Sequence, residues 1–215
     1  MITECTDKKS TRSLYEEAFD DPKAFVDYYY EDKCIDNKII VSIENGEVIS
    51  MLHLNPYYVN ICGKVVKSYY VVAVATRQDR QHEGQMTRVF QRVFEILKAE
   101  RIPFVFLLPV DEAIYSWMGF EKICEFSLER IDDSDKIKKN YDIYCIWDED
   151  YIRRKAKEDE LRAQDEGEVL PDEPVIMAKI TDLDAFNEAA GEKFLSDKEA
   201  LAWMRNKNIY ICEEV

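Results

Sequence analysis

The apolar positions of this chain fall into short runs whose period changes repeatedly, and each change marks an element. Ile2–Cys5 reads as a short strand, and Thr6 as the cap of a helix with Asp7 in its first turn and Leu14, Tyr15, Ala18 and Phe19 on one face. Asp20-Asp21-Pro22 stops that helix, and Phe25, Val26, Tyr29 and Tyr30 begin a second one. Tyr28-Tyr29-Tyr30 reads as core packing, with a ligand cleft as the alternative. Lys38–Ile43 and Glu47–Leu54 flank an Asn45-Gly46 turn, a strong hairpin signal. Tyr57–Cys62 and Val65–Val74 flank Gly63-Lys64 and predict a second hairpin. Tyr69–Ala75 is apolar at every position, as in a strand at the centre of a sheet covered on both faces.

A polar loop, Thr76–Glu83, leads to Gly84. Met86, Val89, Phe90, Val93, Phe94 and Leu97 then repeat at the spacing of an amphipathic helix. Phe104–Leu108 is a short apolar strand after Pro103. Strand, glycine loop, helix, strand is a crossover unit, so its two strands should run parallel in one sheet. Pro109 opens a short helix through Tyr115, Gly119 turns the chain, and Phe120–Leu128 reads as another strand. Asp132–Lys139 reads as a charged connection, Tyr141–Trp147 as a strand, Tyr151–Gln164 as a solvated helix, and Asp165–Pro174 as an acidic linker. Val175–Ile180 is a strand, and Leu183–Ala190 a helix begun by Thr181-Asp182. Ser196–Glu199 is a capping box opening a helix through Trp203 and Met204, and Asn208–Cys212 a terminal strand. The chain thus divides into 1–130, a connecting 131–173, and a small appendage, 174–215.

Composition narrows the function classes. The 215 residues carry 29 Lys and Arg against 44 Asp and Glu, a net charge of −15, which argues against nucleic acid as the partner. An apolar fraction of 47% excludes a disordered chain. No apolar run reaches the roughly 20 residues of a membrane helix, and residues 1–20 lack a signal-peptide core, so no membrane role and a cytoplasmic location are expected. Six scattered cysteines without a CxxC read as reduced thiols. With His53 and His82 alone, no multi-histidine metal site is available, and no metal is expected. His53 reads as a structural histidine or a wall of an acceptor cleft, and His82 as a surface residue of the loop.

The informative chemistry lies in Val72–Met86. A strand runs through a loop into a helix whose first amides are unpaired, and those amides with the helix dipole suit a phosphate. Gly84 would let a pyrophosphate approach the backbone. Gln81-x-x-Gly84-x-Met86 resembles the pyrophosphate loop, Q/R-x-x-G-x-G/A, of the GCN5-related N-acetyltransferases, the GNAT superfamily. The order of elements is also similar to theirs. Ser50–Pro56, Val74–Arg77 and Asp111–Phe120 resemble the enhanced-intracellular-survival type of bacterial acetyltransferase over roughly residues 1–130. Pro174–Asp182, Ala202–Met204 and Ile209–Val215 resemble a shortened remnant of that type's sterol-carrier-like domain.

The resemblance implies an α/β (α+β) GNAT fold: a mixed, twisted sheet with helices on both faces. It implies an enzyme that moves an acetyl group from acetyl-CoA, its co-substrate, to a primary amine of a small molecule or peptide. A cationic amine would suit the acidic balance. Backbone groups of Val74, Ala75 and Thr76 would pair with the pantetheine arm. The segment Gln81, His82, Glu83, Gly84, Gln85, Met86 and Thr87 would hold the pyrophosphate, and Val110 and Asp111 would border the thioester. Tyr115 matches the family's general acid, and the terminal carboxylate at Val215 its general base, with Asp111, Glu112 or His53 as alternative proton relays. Two features depart from the family. Glu83 puts an anion beside the phosphates, and Trp117-Met118 bring bulk toward the acceptor pocket. They keep open a weakened acyl-CoA-binding module, or a protein-interaction module that pairs with a partner or a second copy as a homo-oligomer.

Overall fold

A computed structural model describes residues 1–126, 131, 133–162 and 173–213. Its elements are β1 (Ile2–Glu4), α1 (Arg12–Ala18), α2 (Lys23–Glu31), β2 (Lys38–Glu44), β3 (Glu47–Ile61), β4 (Lys64–Thr76), α3 (Gln85–Ala99), β5 (Phe104–Leu107), α4 (Ala113–Ser116), β6 (Glu121–Glu125), α5 (Ser134–Asn140), β7 (Ile143–Cys145), α6 (Glu149–Arg162), β8 (Val175–Ile180), α7 (Leu183–Ala190), α8 (Asp197–Arg205) and β9 (Ile209–Tyr210). The architecture is mixed α/β. The chain forms two compact units, the first from Met1–Pro56, Val71–Ile96 and Asp148–Glu168, the second from Tyr57–Tyr70, Leu97–Trp147 and Val169–Val215. Val215, Gln164 and most of the acidic linker lie outside the described residues, as do positions 127 and 128 of the strand expected over Phe120–Leu128.

In the first unit β1 is antiparallel to β2, and β2 to β3, which turns at Asn45-Gly46 with Glu44 opposite Glu47. The N-terminal helix begins later than Thr6 suggests. Ser10 gives both its amide, at 3.0 Å, and its hydroxyl, at 2.7 Å, to the Asp7 carbonyl, which winds a 3-10 turn over Lys8–Thr11 before α1 starts. The aromatic face of α2 is core: Tyr28, Tyr29 and Tyr30 are all buried. Tyr29 stacks on Tyr15 and on His53, with ring centroids 5.3 and 5.7 Å apart.

The strands expected as Glu47–Leu54 and Tyr57–Cys62 are one strand, β3. Pro56, which lacks an amide donor, stands inside this strand. The ladder with β2 ends at Leu54 and the ladder with β7 begins at Val59, so Pro56 falls between them.

The second unit contains the parallel pairing of the crossover, Tyr69 and Tyr70 of β4 with Val105 and Phe106 of β5. β8 is antiparallel to both β5 and β6 and lies between them. β7 pairs with β3 and carries β9 in parallel. The expected cap forms in a shifted version of the capping box: Ser196 Oγ accepts from the Glu199 amide at 3.3 Å, and the Glu199 carboxylate accepts at 2.8 Å from the amide of Leu195, one residue before the cap. Within Asp132–Lys139, expected as a connection, a helix forms instead. The Asp133 side chain accepts from the amides of Asp135 and Lys136 at 2.9 and 3.2 Å, and Ile137 anchors the turn against Tyr210 and Cys212. Of the expected terminal strand, Ile209 and Tyr210 make the regular ladder with β7, and Ile211, Cys212 and Glu213 beyond them are buried.

The charged helix α6 is not merely solvated. In the first unit it docks on α2 and the turn after it. Arg153 forks onto Asp32, with Nη2 2.9 Å from Oδ1, and Arg154 Nη1 reaches Asp36 at 3.0 Å. Beneath them Lys33 pairs with Glu158 at 3.0 Å, both buried, and the Tyr28 hydroxyl donates to the same carboxylate at 3.1 Å. Exposed ion pairs contribute little, but a buried one leaves an uncompensated charge when a single partner is removed. Glu158→Ala is therefore expected to undock α6, seen as at least about tenfold faster amide exchange over Glu149–Arg162. Unchanged protection would contradict the docking. Arg153 holds the Asp32 carboxyl below the usual carboxylate range. Its contribution is accordingly complete above that range and lost as pH falls through the depressed value.

Candidate active site

The first half of the candidate site is the end of β4 and the loop to α3. Sequence patterning places Tyr69–Ala75 under cover on both faces. Ser68–Val71 are buried, but from there the strand alternates, and Val72, Val74 and Thr76 are partly exposed. Ala73 takes φ +50 inside the strand, a left-handed conformation that costs an L-residue about 1 kcal/mol. The Ala75 carbonyl accepts from Ser50 Oγ at 3.0 Å, and that hydroxyl also meets Thr76 Oγ1 at 2.9 Å. Ser50 therefore ties the strand end to β3.

The loop is built from backbone turns. The Arg77 amide donates to Ile49 O and the Arg80 amide to Arg77 O, both at 2.9 Å, closing one 3-10 turn over Gln78–Arg80. Gln81 reaches back to the Thr76 carbonyl at 3.5 Å. His82 and Gly84 then take φ +62 and +73, and the Arg88 amide donates to Gly84 O at 3.2 Å. The amides of Gln85, Met86 and Thr87 thus precede the first intrahelical donor and point out of the end of α3. A Cβ at Gly84 would make only ordinary contact, 3.6 Å from Arg88 Nη1, so the positive φ is what favours glycine here.

The loop's charges are arranged in pairs. Arg80 lies between two carboxylates, its Nη2 2.7 Å from Glu44 Oε2 and its Nε 2.9 Å from Glu83 Oε2. Bonding to Glu83 and then Glu44 raises the guanidinium pKa, and Arg80 followed by Gln85 lowers that of Glu44. Glu83 is therefore not the bare anion its position in the motif suggests. Gln85 is buried and structural through its side chain: its amide accepts from Ser42 Oγ and donates to Glu44 Oε1, both at 3.1 Å. Arg88 Nη1 donates to the Glu83 carbonyl at 3.1 Å, and Arg77 pairs with Glu47 at 3.0 Å. Sequence reasoning passed over Arg77, Arg80 and Arg88, whose signal was three arginines clustered around Gly84.

Val110, Asp111 and Tyr115 belong to the second unit. Val110 and Asp111 are exposed, and Asp111 Oδ1 caps the turn by accepting from the Ala113 amide at 2.8 Å. Tyr115 lies on α4 with its ring 5.9 Å from that of Phe120 at 70°. Burial pushes its phenol up to about 12, so it holds its proton at neutral pH. The expected bulk of Trp117-Met118 divides: Trp117 is 60% exposed and projects to solvent, and Met118 is buried under the turn.

His53 is fully buried in the first unit, its Nδ1 2.8 Å from the Tyr29 hydroxyl, and burial pushes its pKa down to about 3. It is a structural histidine and neither the wall of a cleft nor a proton relay. Among the described residues no group of three or more His, Cys, Asp and Glu could hold a metal ion, and no helix is long and apolar enough to cross a membrane. The structure thus brings Val74, Ala75, Thr76 and the segment 81–87 together in one unit, and Val110, Asp111 and Tyr115 in the other.

Comparison with known proteins assigns the family. The profile of the acetyltransferase (GNAT) domain matches residues 4–123, more than half of the chain. No curated protein matches it. Among solved structures, a probable N-acyltransferase from Enterococcus faecalis V583 is similar with a TM-score of 0.54 at 17% identity, over 58% of this chain. The match spans only 33% of that longer protein. The ribosomal-protein-S18-alanine N-acetyltransferase of Escherichia coli is similar with a TM-score of 0.51 at 11% identity, over 85% of this chain and 94% of its own. A putative GNAT acetyltransferase from Desulfovibrio desulfuricans has a TM-score of 0.52 at 10% identity, over 84% of this chain and 98% of its own. At these identities the likeness is one of fold, and with the profile match it leads to one conclusion: this chain belongs to the GNAT acetyltransferase domain family.

Proposed function

We propose that the protein is an N-acetyltransferase that moves an acetyl group from acetyl-CoA to a primary amine of a small molecule or peptide. The observation that carries this reading is the continuous passage from a half-opened strand end, Val72–Thr76, through a loop with His82 and Gly84 in left-handed conformations, to the free amides at the start of α3. An extended pantetheine arm would add to Val74, Ala75 and Thr76 by backbone hydrogen bonds. A pyrophosphate would take the amides of residues 82–87, which suit an anion through both their N–H groups and the helix dipole. The narrower resemblance, to the enhanced-intracellular-survival type, rests on Ser50–Pro56, Val74–Arg77 and Asp111–Phe120 and forms part of this proposal.

In the reaction the acceptor amine, as its free base, attacks the thioester carbonyl carbon. The carbonyl oxygen gains charge that a β4 amide stabilises, and the C–S bond then breaks. Tyr115 gives its proton to the departing sulfur, while the nitrogen, cationic after attack, releases a proton to water, from which the phenol is restored, leaving the amide and the free thiol. A phenol at about 12 holds its proton until the thiolate forms, so that transfer comes late. The acidic balance favours a cationic acceptor by steering it in solution.

Three outcomes test this reading. Gly84→Asp places a carboxylate in the phosphate seat and should abolish acetyl-CoA binding by calorimetry; unchanged affinity would remove the seat. Glu83→Gln frees Arg80 from one of its two carboxylates, so acetyl-CoA should bind about two- to fivefold more tightly, and more weakly bound cofactor would contradict the electrostatic account. Tyr115→Phe keeps the ring contact with Phe120. It should lower kcat by about 10²- to 10⁴-fold with acetyl-CoA affinity nearly unchanged, and full activity would return Tyr115 to a packing role.

A further inference from the structure

We infer that Lys179 is the positioning residue for Tyr115: its ammonium props the turn that ends α4 and thereby fixes where the phenol points. The inference rests on the reading of Tyr115 as the proton donor. α4 is a single turn of four residues, too short to be stable by its own hydrogen bonds. Its outer side is open, with Val110, Ala113, Ile114, Ser116 and Trp117 all exposed. The orientation of Tyr115 must therefore come from whatever supports the turn from beneath.

Lys179 supplies that support from β8. The other five residues of that strand are buried, and Lys179 is the one charged group among them. The register pairs Lys179 with Val105 on one side, and Ala178 with Glu121 on the other, which sets Phe120 beside Lys179. The ammonium lies against Gly119, 2.9 Å from where a Cβ at that position would be. Gly119 has φ +87, so a larger residue would strain the backbone and displace the ammonium. The amides of Met118 and Gly119 donate to the carbonyls of Tyr115 and Ser116, both at 3.0 Å, so the turn that Lys179 touches is the one that closes over Tyr115. Phe120, next in the chain, makes the edge contact with the Tyr115 ring. Burial, partly offset by Asp197, lowers the Lys179 pKa, in keeping with an ammonium that has given up part of its water.

The test is a double-mutant cycle on the full chain. Lys179→Met keeps most of the stem and removes the charge. It should lower kcat by about 10- to 100-fold while leaving KM for acetyl-CoA unchanged, the pattern of a misaligned group rather than a lost binding contact. Amide exchange over 113–119 should accelerate in the same variant. In a Tyr115→Phe background the substitution should have no further effect on kcat. A wild-type kcat in Lys179→Met, or an equal loss in both backgrounds, overturns the inference. Full activity of the Tyr115→Phe single variant is a different failure, because it removes the acid itself and with it the group to be positioned. Should Lys179→Met not fold, Lys179→Gln, which removes the charge and keeps a polar tip, carries the same cycle and the same two overturning outcomes.

Discussion

One backbone conformation carries much of the candidate site: Ala73, left-handed in the middle of β4. A strand that is apolar at every position would bury both faces throughout. From Ser68 to Val71 this one does, and from Val72 alternate residues come partly into the open. The conformation costs about 1 kcal/mol, and the surrounding packing has to supply it. Ser50 from β3 holds the strand end beyond it, and the regular ladder with β5 involves only Tyr69 and Tyr70. What remains is a short length of strand with backbone groups to offer, followed at once by a helix start with backbone donors to offer. A ligand that is extended at one end and anionic at the other matches that sequence of groups.

The charged side chains of this region engage one another without a ligand. Glu44, Arg80 and Glu83 form one chain of contacts, and Gln85 fixes Glu44 from the other side. Arg77 and Arg80 are paired with carboxylates and Arg88 bonds the Glu83 carbonyl, and the amides at the start of α3 are donors suited to an anion. In the second unit Tyr115 lies on a minimal turn with most of its neighbours in solvent, and the role proposed for it depends on what supports that turn.

Much of this was legible in the sequence because it rests on period and on turn chemistry. The Asn45-Gly46 hairpin, the amphipathic face of α3, the bounds of β8 and α7, and the capping box at Ser196 follow from residues within a few positions of one another. The parallel pairing of β4 with β5 followed from the crossover rule. What was not legible depends on partners distant in sequence. The apolar run Val175–Ile180 signals a buried strand, but nothing in it says that it inserts between β5 and β6. Arg153, Arg154 and Glu158 read as a solvated face because Asp32, Asp36 and Lys33, which take them up, lie more than a hundred residues earlier. Glu83 read as an obstacle to phosphate because Arg80 was not seen to neutralise it, and His53 kept a relay role until its burial was known.

The central claim is that the end of β4 and the start of α3 together receive acetyl-CoA. Amide hydrogen exchange of the full chain, measured with and without saturating acetyl-CoA, tests it most directly. The account predicts slowed exchange at Val74–Thr76 and at Gly84–Thr87 as one ligand-dependent response, with α6 and α7 unchanged. Binding that leaves both segments at their ligand-free rates, or that protects only residues elsewhere in the chain, would contradict it.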